Sequence, residues 1–257
     1  MKRLSLLPAL VLFAASTVHA ALSVGVTPGP HAEIVEEVRR VAASRGLALD
    51  VIAFADCASA DAALAKGRID AASCEDGPAF DSRRVQRGYP LKRAASTVTF
   101  PMALYSRKLN ALSELRPGAV VAIPADPAGA ARALILLQNF TLLSFRDDAG
   151  LHAALADITT NRLHLKIRQV PHSKLADVLS DASIVVMDSD DATRAGLAPA
   201  RDAIGMEDAR SPFASVLAVR AADRAQPWVG RLVAAYQSDD VARFILVRYQ
   251  DSVRRPW

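Results

Sequence analysis

The chain predicts an α/β fold built from parallel βαβ units. Short apolar runs alternate with helical patterns along most of its length. Several helical patterns begin at a turn residue directly after an apolar run, as a strand-to-helix connection requires. No internal repeat, linker or low-complexity segment interrupts the alternation.

The first twenty residues read as an export signal. Lys2 and Arg3 precede an apolar stretch over 4–15, and Val18-His19-Ala20 supplies a small-x-small cleavage site before Ala21. The apolar stretch is too short to span a bilayer, and nothing later is longer. The residue after the cleavage site is Ala21 rather than cysteine, so the expected mature protein is soluble in the periplasm, cleaved near Ala20 and without a lipid anchor. The formal net charge of +4 over 257 residues includes two leader cations, which leaves no footprint for nucleic acid.

After the leader, strand one is Leu22–Val26, and the helix behind it buries Ile34, Val35, Val38, Val41 and Ala42 on one face. Gly46 stands where the helix should stop. Strand two is expected over 49–54, a short Ala-rich helix ends at Gly67, and strand three covers 68–72. Residues 97–106 are apolar and extended around Pro101, which suits a sheet edge or a crossing segment. The pattern then restarts with a strand over 119–123. Asp126-Pro127 opens a helix with an acidic N-cap and proline at N1, and that helix packs Ala133, Leu134, Leu136 and Leu137. Strands follow over 163–170 and 183–187 with a helix at 174–179 between them. A second extended segment covers 211–220, and two helices close the chain over 229–236 and 239–249.

Seven stretches give the chain a resemblance to the NlpA/MetQ family of methionine-binding, ABC-transporter substrate-binding proteins: residues 22–33, 65–71, 101–115, 121–127, 132–138, 211–213 and 235–241. Several are loop or turn residues at matching spacing. The resemblance implies a two-lobed, type II periplasmic-binding-protein fold, each lobe a mostly parallel sheet flanked by helices, with two crossing segments as a hinge. Lobe one is then 21–104 plus 213–257, and lobe two is 105–212. It implies a monomeric receptor that takes a small amino-acid-like solute between the lobes and presents it to an inner-membrane ABC permease with its ATPase.

The family's ligand residues carry over unevenly. Arg132 matches the family's arginine. A family aromatic after strand two is Cys57 here, a Phe-Gln-His cluster is Cys74-Glu75-Asp76, and a tyrosine is Ala79. Two family asparagines become Asp188 and Ser215. Arg132 is either a solvated helix arginine or a bidentate clamp on a ligand carboxylate. Glu75, Asp76 and Asp188 are either solvated surface or a group that favours an amine over methionine, and Asp188 could instead pair with Arg132 in an empty cleft. Gly29, in the turn before the first helix, could offer backbone amides to a carboxylate. Cys57 and Cys74 are either two buried thiols or a disulfide in an oxidising compartment.

The mature histidines His31, His152, His164 and His172 show no metal spacing, and no nucleophile elbow, phosphate loop or dinucleotide fingerprint is present. No metal and no cofactor are therefore expected. The rival readings are a sensor or orphan receptor for a polar or cationic amine, and an enzyme on the same scaffold.

Overall fold

The computed structural model describes residues 21–257; the export signal expected over 1–20 lies outside them. The strands are β1 (Leu22–Val26), β2 (Leu49–Ala53), β3 (Ala71–Asp76), β4 (Leu91–Ser96), β5 (Ala103–Tyr105), β6 (Val120–Pro124), β7 (Ser144–Phe145), β8 (Ile158–Thr160), β9 (Lys166–Val170), β10 (Ile184–Met187), β11 (Ala203–Met206) and β12 (Ser215–Arg220). The helices are α1 (Pro30–Ser44), α2 (Cys57–Ala65), α3 (Gly77–Gln86), α4 (Pro127–Asn139), α5 (Ser189–Arg194), α6 (Pro199–Asp202), α7 (Pro227–Tyr236) and α8 (Asp239–Tyr249). No helix among the described residues is long and apolar enough to cross a membrane.

Two five-stranded sheets form, ordered β2-β1-β3-β12-β4 and β11-β5-β10-β6-β9. Each has a parallel trio, β2-β1-β3 in one and β10-β6-β9 in the other. Each also has one strand running against that trio, β12 in the first sheet and β5 in the second. These reversed strands are the ones that arrive from the opposite sheet, so both sheets are mixed for a topological reason. The expected lobe boundary after residue 104 falls inside β5, all of which pairs in the second sheet, and the one at 213 falls just before β12.

Local chemistry accounts for most elements. Gly29 precedes α1 with φ +93°, a conformation that glycine adopts without the strain of a Cβ, and Pro30 follows it at the helix start. The expected apolar face of α1 is buried in one cluster with Leu217, Leu232, Tyr236 and Ile245, so α7 and α8 close the first lobe. The second lobe packs Leu134 and Leu137 of α4 against Val121, Ile123, Leu104 and Ile184.

The two crossings, 97–102 and 207–214, run side by side. Thr97 N–H donates to Ser215 O at 2.8 Å, Ser215 N–H to Val98 O at 2.7 Å, and Glu207 N–H to Met102 O at 3.0 Å. The C-terminal tail braces the same segment. Arg254 exchanges backbone bonds with Thr99 at 2.8 and 2.9 Å, and Trp257 Nε1 donates to Thr97 O at 2.7 Å.

His31, on α1, packs tilted at 55° against Phe100 of the first crossing, with ring centroids 4.6 Å apart. Burial pushes its pKa down to about 4, so it is neutral in the fold. Between that value and the ordinary 6.5 the unfolded chain binds the extra proton, so stability falls as pH drops through this window. The expected result is an acid limb in a plot of thermal midpoint against pH, flattened in His31→Gln.

Strand three is displaced from its expected place. Residues 68–70 turn, with Ser23 N–H and Oγ both bonded to Asp70 Oδ2 at 2.9 Å, and the strand proper is β3. Cys74, Glu75 and Asp76 therefore lie in a strand paired with β12, not in a loop after one. The helix expected over 174–179 is two short 3-10 turns.

Candidate ligand-binding cleft

A cavity of about 1040 Å³ lies between the two sheets, at the carboxyl ends of their parallel strands. Four helix N-caps meet there, and all four are aspartates: Asp56 before α2, Asp76 before α3, Asp126 before α4 and Asp188 before α5. Each accepts the backbone N–H three residues on, from Ser59, Ala79, Gly129 and Asp191, at 2.7–2.9 Å. A short polar side chain at that position satisfies one of the unpaired amides of a first turn. The amide ends that could have bound an anion already carry carboxylates, and Arg83, Arg87 and Arg132 line the same cavity.

Arg132 reaches the cavity from the second turn of α4. Its Nε donates to Glu207 Oε1 at 3.2 Å, its Nη2 to Glu207 Oε2, and Nη2 also to Phe100 O at 2.9 Å. Phe213 lies under the guanidinium, 4.8 Å from ring centroid to Cζ. Glu207 is 3% exposed and also accepts Met102 N–H at 3.2 Å. The bidentate face of the guanidinium is thus occupied by a protein carboxylate. A guanidinium has five N–H donors, and the two on Nη1 are left for a solute. The partner of Arg132 is Glu207, not Asp188.

His172 follows β9 and faces carboxylates at both ring nitrogens. Nε2 lies 2.7 Å from Asp126 Oδ2, and Nδ1 contacts Asp191 Oδ2, with Asp188 Oδ2 3.9 Å away. Burial opposes the imidazolium, but the bonds to Asp191 and Asp126 outweigh it and raise the His172 pKa. Burial, with the nearby Asp191 and Asp190 carboxylates adding to it, lifts Asp188 above the usual range. His172, Asp188 and Asp191 also place three possible metal donors within 4.8 Å of one another. Both ring nitrogens of His172 already contact protein carboxylates, Asp191 and Asp126.

In lobe one, Glu75 pairs with Arg83 Nη2 at 2.9 Å, and the neighbouring Asp61 is 2% exposed. Burial, then Asp61, pushes the Glu75 pKa up to about 9, so it is neutral at pH 7. It is no anion for a solute. Cys74 and Cys57 are free thiols in the cluster around Phe80 and Leu64.

Of the residues singled out from sequence, Arg132, Asp188 and Asp76 line the cavity, whereas Glu75, Cys74, Cys57, Ser215 and Gly29 are not among its lining. Ser215 is buried in β12, and Gly29 is exposed at the start of α1. Sequence reasoning passed over Asp56, Arg83, Tyr89, Met102, His172 and Phe213 at the cavity, and Asp126 as a cavity group. The repeated pattern of an aspartate between an apolar strand and a helix start was the available signal for Asp56 and Asp126.

Two hinged sheets with a cleft at their carboxyl edges define a bilobal solute-binding protein. The NlpA lipoprotein family profile matches residues 22–257, and the chain belongs to that family. It is 35% identical over 223 residues to a D-methionine-binding lipoprotein MetQ of Escherichia coli K12, covering 86% of this chain and 82% of the relative. A nutrient-binding protein from Burkholderia cenocepacia, solved bound to methionine, is 38% identical with TM-score 0.74, covering 92% of this chain and 100% of that one. A periplasmic substrate-binding protein of an ABC transporter from Coxiella burnetii is 34% identical with TM-score 0.75, covering 91% and 99%. The family and the Escherichia coli relative are named lipoproteins, which gives the expectation of an unanchored protein no support.

Proposed function

We propose that this chain is the periplasmic solute receptor of an ABC importer of the methionine-uptake type. It works as a monomer, binds an amino-acid-like solute by closure of the two lobes, and presents it to an inner-membrane permease with its ATPase. The solute carries a cationic group. The observation that supports this is the set of four capping aspartates at the cavity, Asp56, Asp76, Asp126 and Asp188, with Arg132 already paired to Glu207 within the protein. The cleft binds rather than catalyses; in support, His172 is held between carboxylates instead of beside a nucleophile.

Methionine fits this wall poorly. The positions where the family resemblance places three ring-bearing contacts hold Cys57, Cys74 and Ala79. At about 0.3–1.5 kcal/mol per sulfur–ring contact, their absence weakens methionine by roughly fivefold to two-thousandfold. The test is native mass spectrometry of the purified protein, then calorimetry with L- and D-methionine, lysine, arginine and simple diamines. A cationic solute is expected to bind well ahead of either methionine. Tight, selective methionine binding would overturn the cationic preference and keep the receptor role; no binding of any amino acid or amine would overturn both.

A further inference from the structure

We propose that Cys57 and Cys74 form a disulfide that staples together the two lobe-one aspartates of the cleft wall. Cys57 is the first residue of α2, directly after Asp56; Cys74 lies in β3, two residues before Asp76. Helix α2 packs on β3, and both sulfurs belong to one apolar cluster with Leu64, Ala72 and Phe80. Nothing else in the chain can compete for either thiol, since these are its two cysteines.

The neighbouring Cys57, followed by burial, raises the Cys74 thiol above its ordinary range. Cys57 is the more exposed of the pair, so it meets the oxidant first.

The oxidant is a disulfide, either that of an exported dithiol oxidase or a small-molecule one. Cys57 Sγ loses its proton to solvent and attacks one sulfur of the oxidant, and the other sulfur leaves as a thiolate. Cys74 Sγ, deprotonated in turn, attacks Cys57 Sγ and displaces the second oxidant sulfur. Two thiols are oxidised to one disulfide, the oxidant's disulfide is reduced to two thiols, and the two protons balance.

The consequence falls on the cleft. Asp56 and Asp76 hold the first turns of α2 and α3 through the Ser59 and Ala79 amides, at 2.7 and 2.9 Å. Between the two cysteines the chain runs through α2 and the turn at 68–70 before it enters β3. A covalent tie across that excursion fixes the separation of the two carboxylates, and with it the shape of the cleft wall. This holds whichever solute the cleft takes.

The test uses the full mature chain, incubated with oxidised glutathione, denatured and alkylated without reductant. No alkylated cysteine is expected before reduction and two after it; two alkylated thiols in the oxidised sample would overturn the bond. Hydrogen exchange then reads the coupling. The Ser59 and Ala79 amides are expected to exchange roughly fivefold or more slowly in the oxidised protein, while the Gly129 amide, capped by Asp126 in the other lobe, stays unchanged. Equal rates at Ser59 and Ala79 in both redox states would overturn the staple even if the bond forms. A Cys57→Ser/Cys74→Ser variant should match the reduced protein at both amides, and a variant matching the oxidised protein counts against the proposal.

Discussion

Replacing Arg132 by alanine is expected to cost the fold about 3–5 kcal/mol, the range for breaking a buried ion pair from one side. The size comes from what is left behind. Glu207 is 3% exposed, and without the guanidinium its carboxylate keeps only the Met102 N–H. The Phe100 carbonyl and the face of Phe213 lose a partner in the same change. Urea unfolding should show a lower midpoint with an unchanged slope. Arg132→Lys keeps the charge but not the fork, so it should fall between wild type and alanine. A midpoint for Arg132→Ala equal to that of the wild type would mean that the pair contributes nothing. The same variant also reports on the cleft: if the true solute binds it unchanged, the two Nη1 donors are not used.

Leu134→Ala should be comparably damaging, about 2–5 kcal/mol, but for an apolar reason. Leu134 is fully buried, in one cluster with Val121, Ile123 and Ile184 under the second sheet. Its removal leaves a hole in a close-packed layer, and the cost depends on how far those neighbours can collapse into it. Leu134 lies in the apolar core of the second lobe, whereas Arg132 lines the cavity. Both positions lie on α4, two residues apart, so the double variant tests whether the two losses are independent. A clear departure from additivity in urea midpoints would show that α4 shifts as a unit. As a contrast, Leu246→Ala, on an exposed position of α8, should leave the midpoint nearly unchanged.

What the sequence made legible follows from the range of the interactions. The α/β class, α1 with its buried face, the Asp126-Pro127 start of α4 and the two C-terminal helices all rest on local patterns, and the folded chain has them. Strand β3 was misplaced because 68–72 carries the apolar spacing of a strand, while Asp70 is instead drawn out of line by Ser23, 47 residues away. Helix α3 and strand β4 were not read at all. Gly77-Pro78 looks like a turn, and the Lys92-Arg93 pair breaks the alternation of β4. The site was least visible. Glu207 is 75 residues from Arg132, and His172 is 46 from Asp126, so no spacing rule joins them. Only the fold brings them together.

The paired crossings have a kinematic consequence. Each strap alone could bend, stretch or twist independently of the other. Bonded edge to edge at Thr97, Val98 and Met102, and pinned by Arg254 and Trp257, they can flex only as one ribbon. Arg132 reaches from the second lobe to both straps, through Phe100 O on one and Glu207 on the other. Sliding of one lobe past the other would break these bonds, while rotation about the ribbon spares them. The bonds between the straps therefore favour a swing of the lobes about the ribbon over a slide of one past the other.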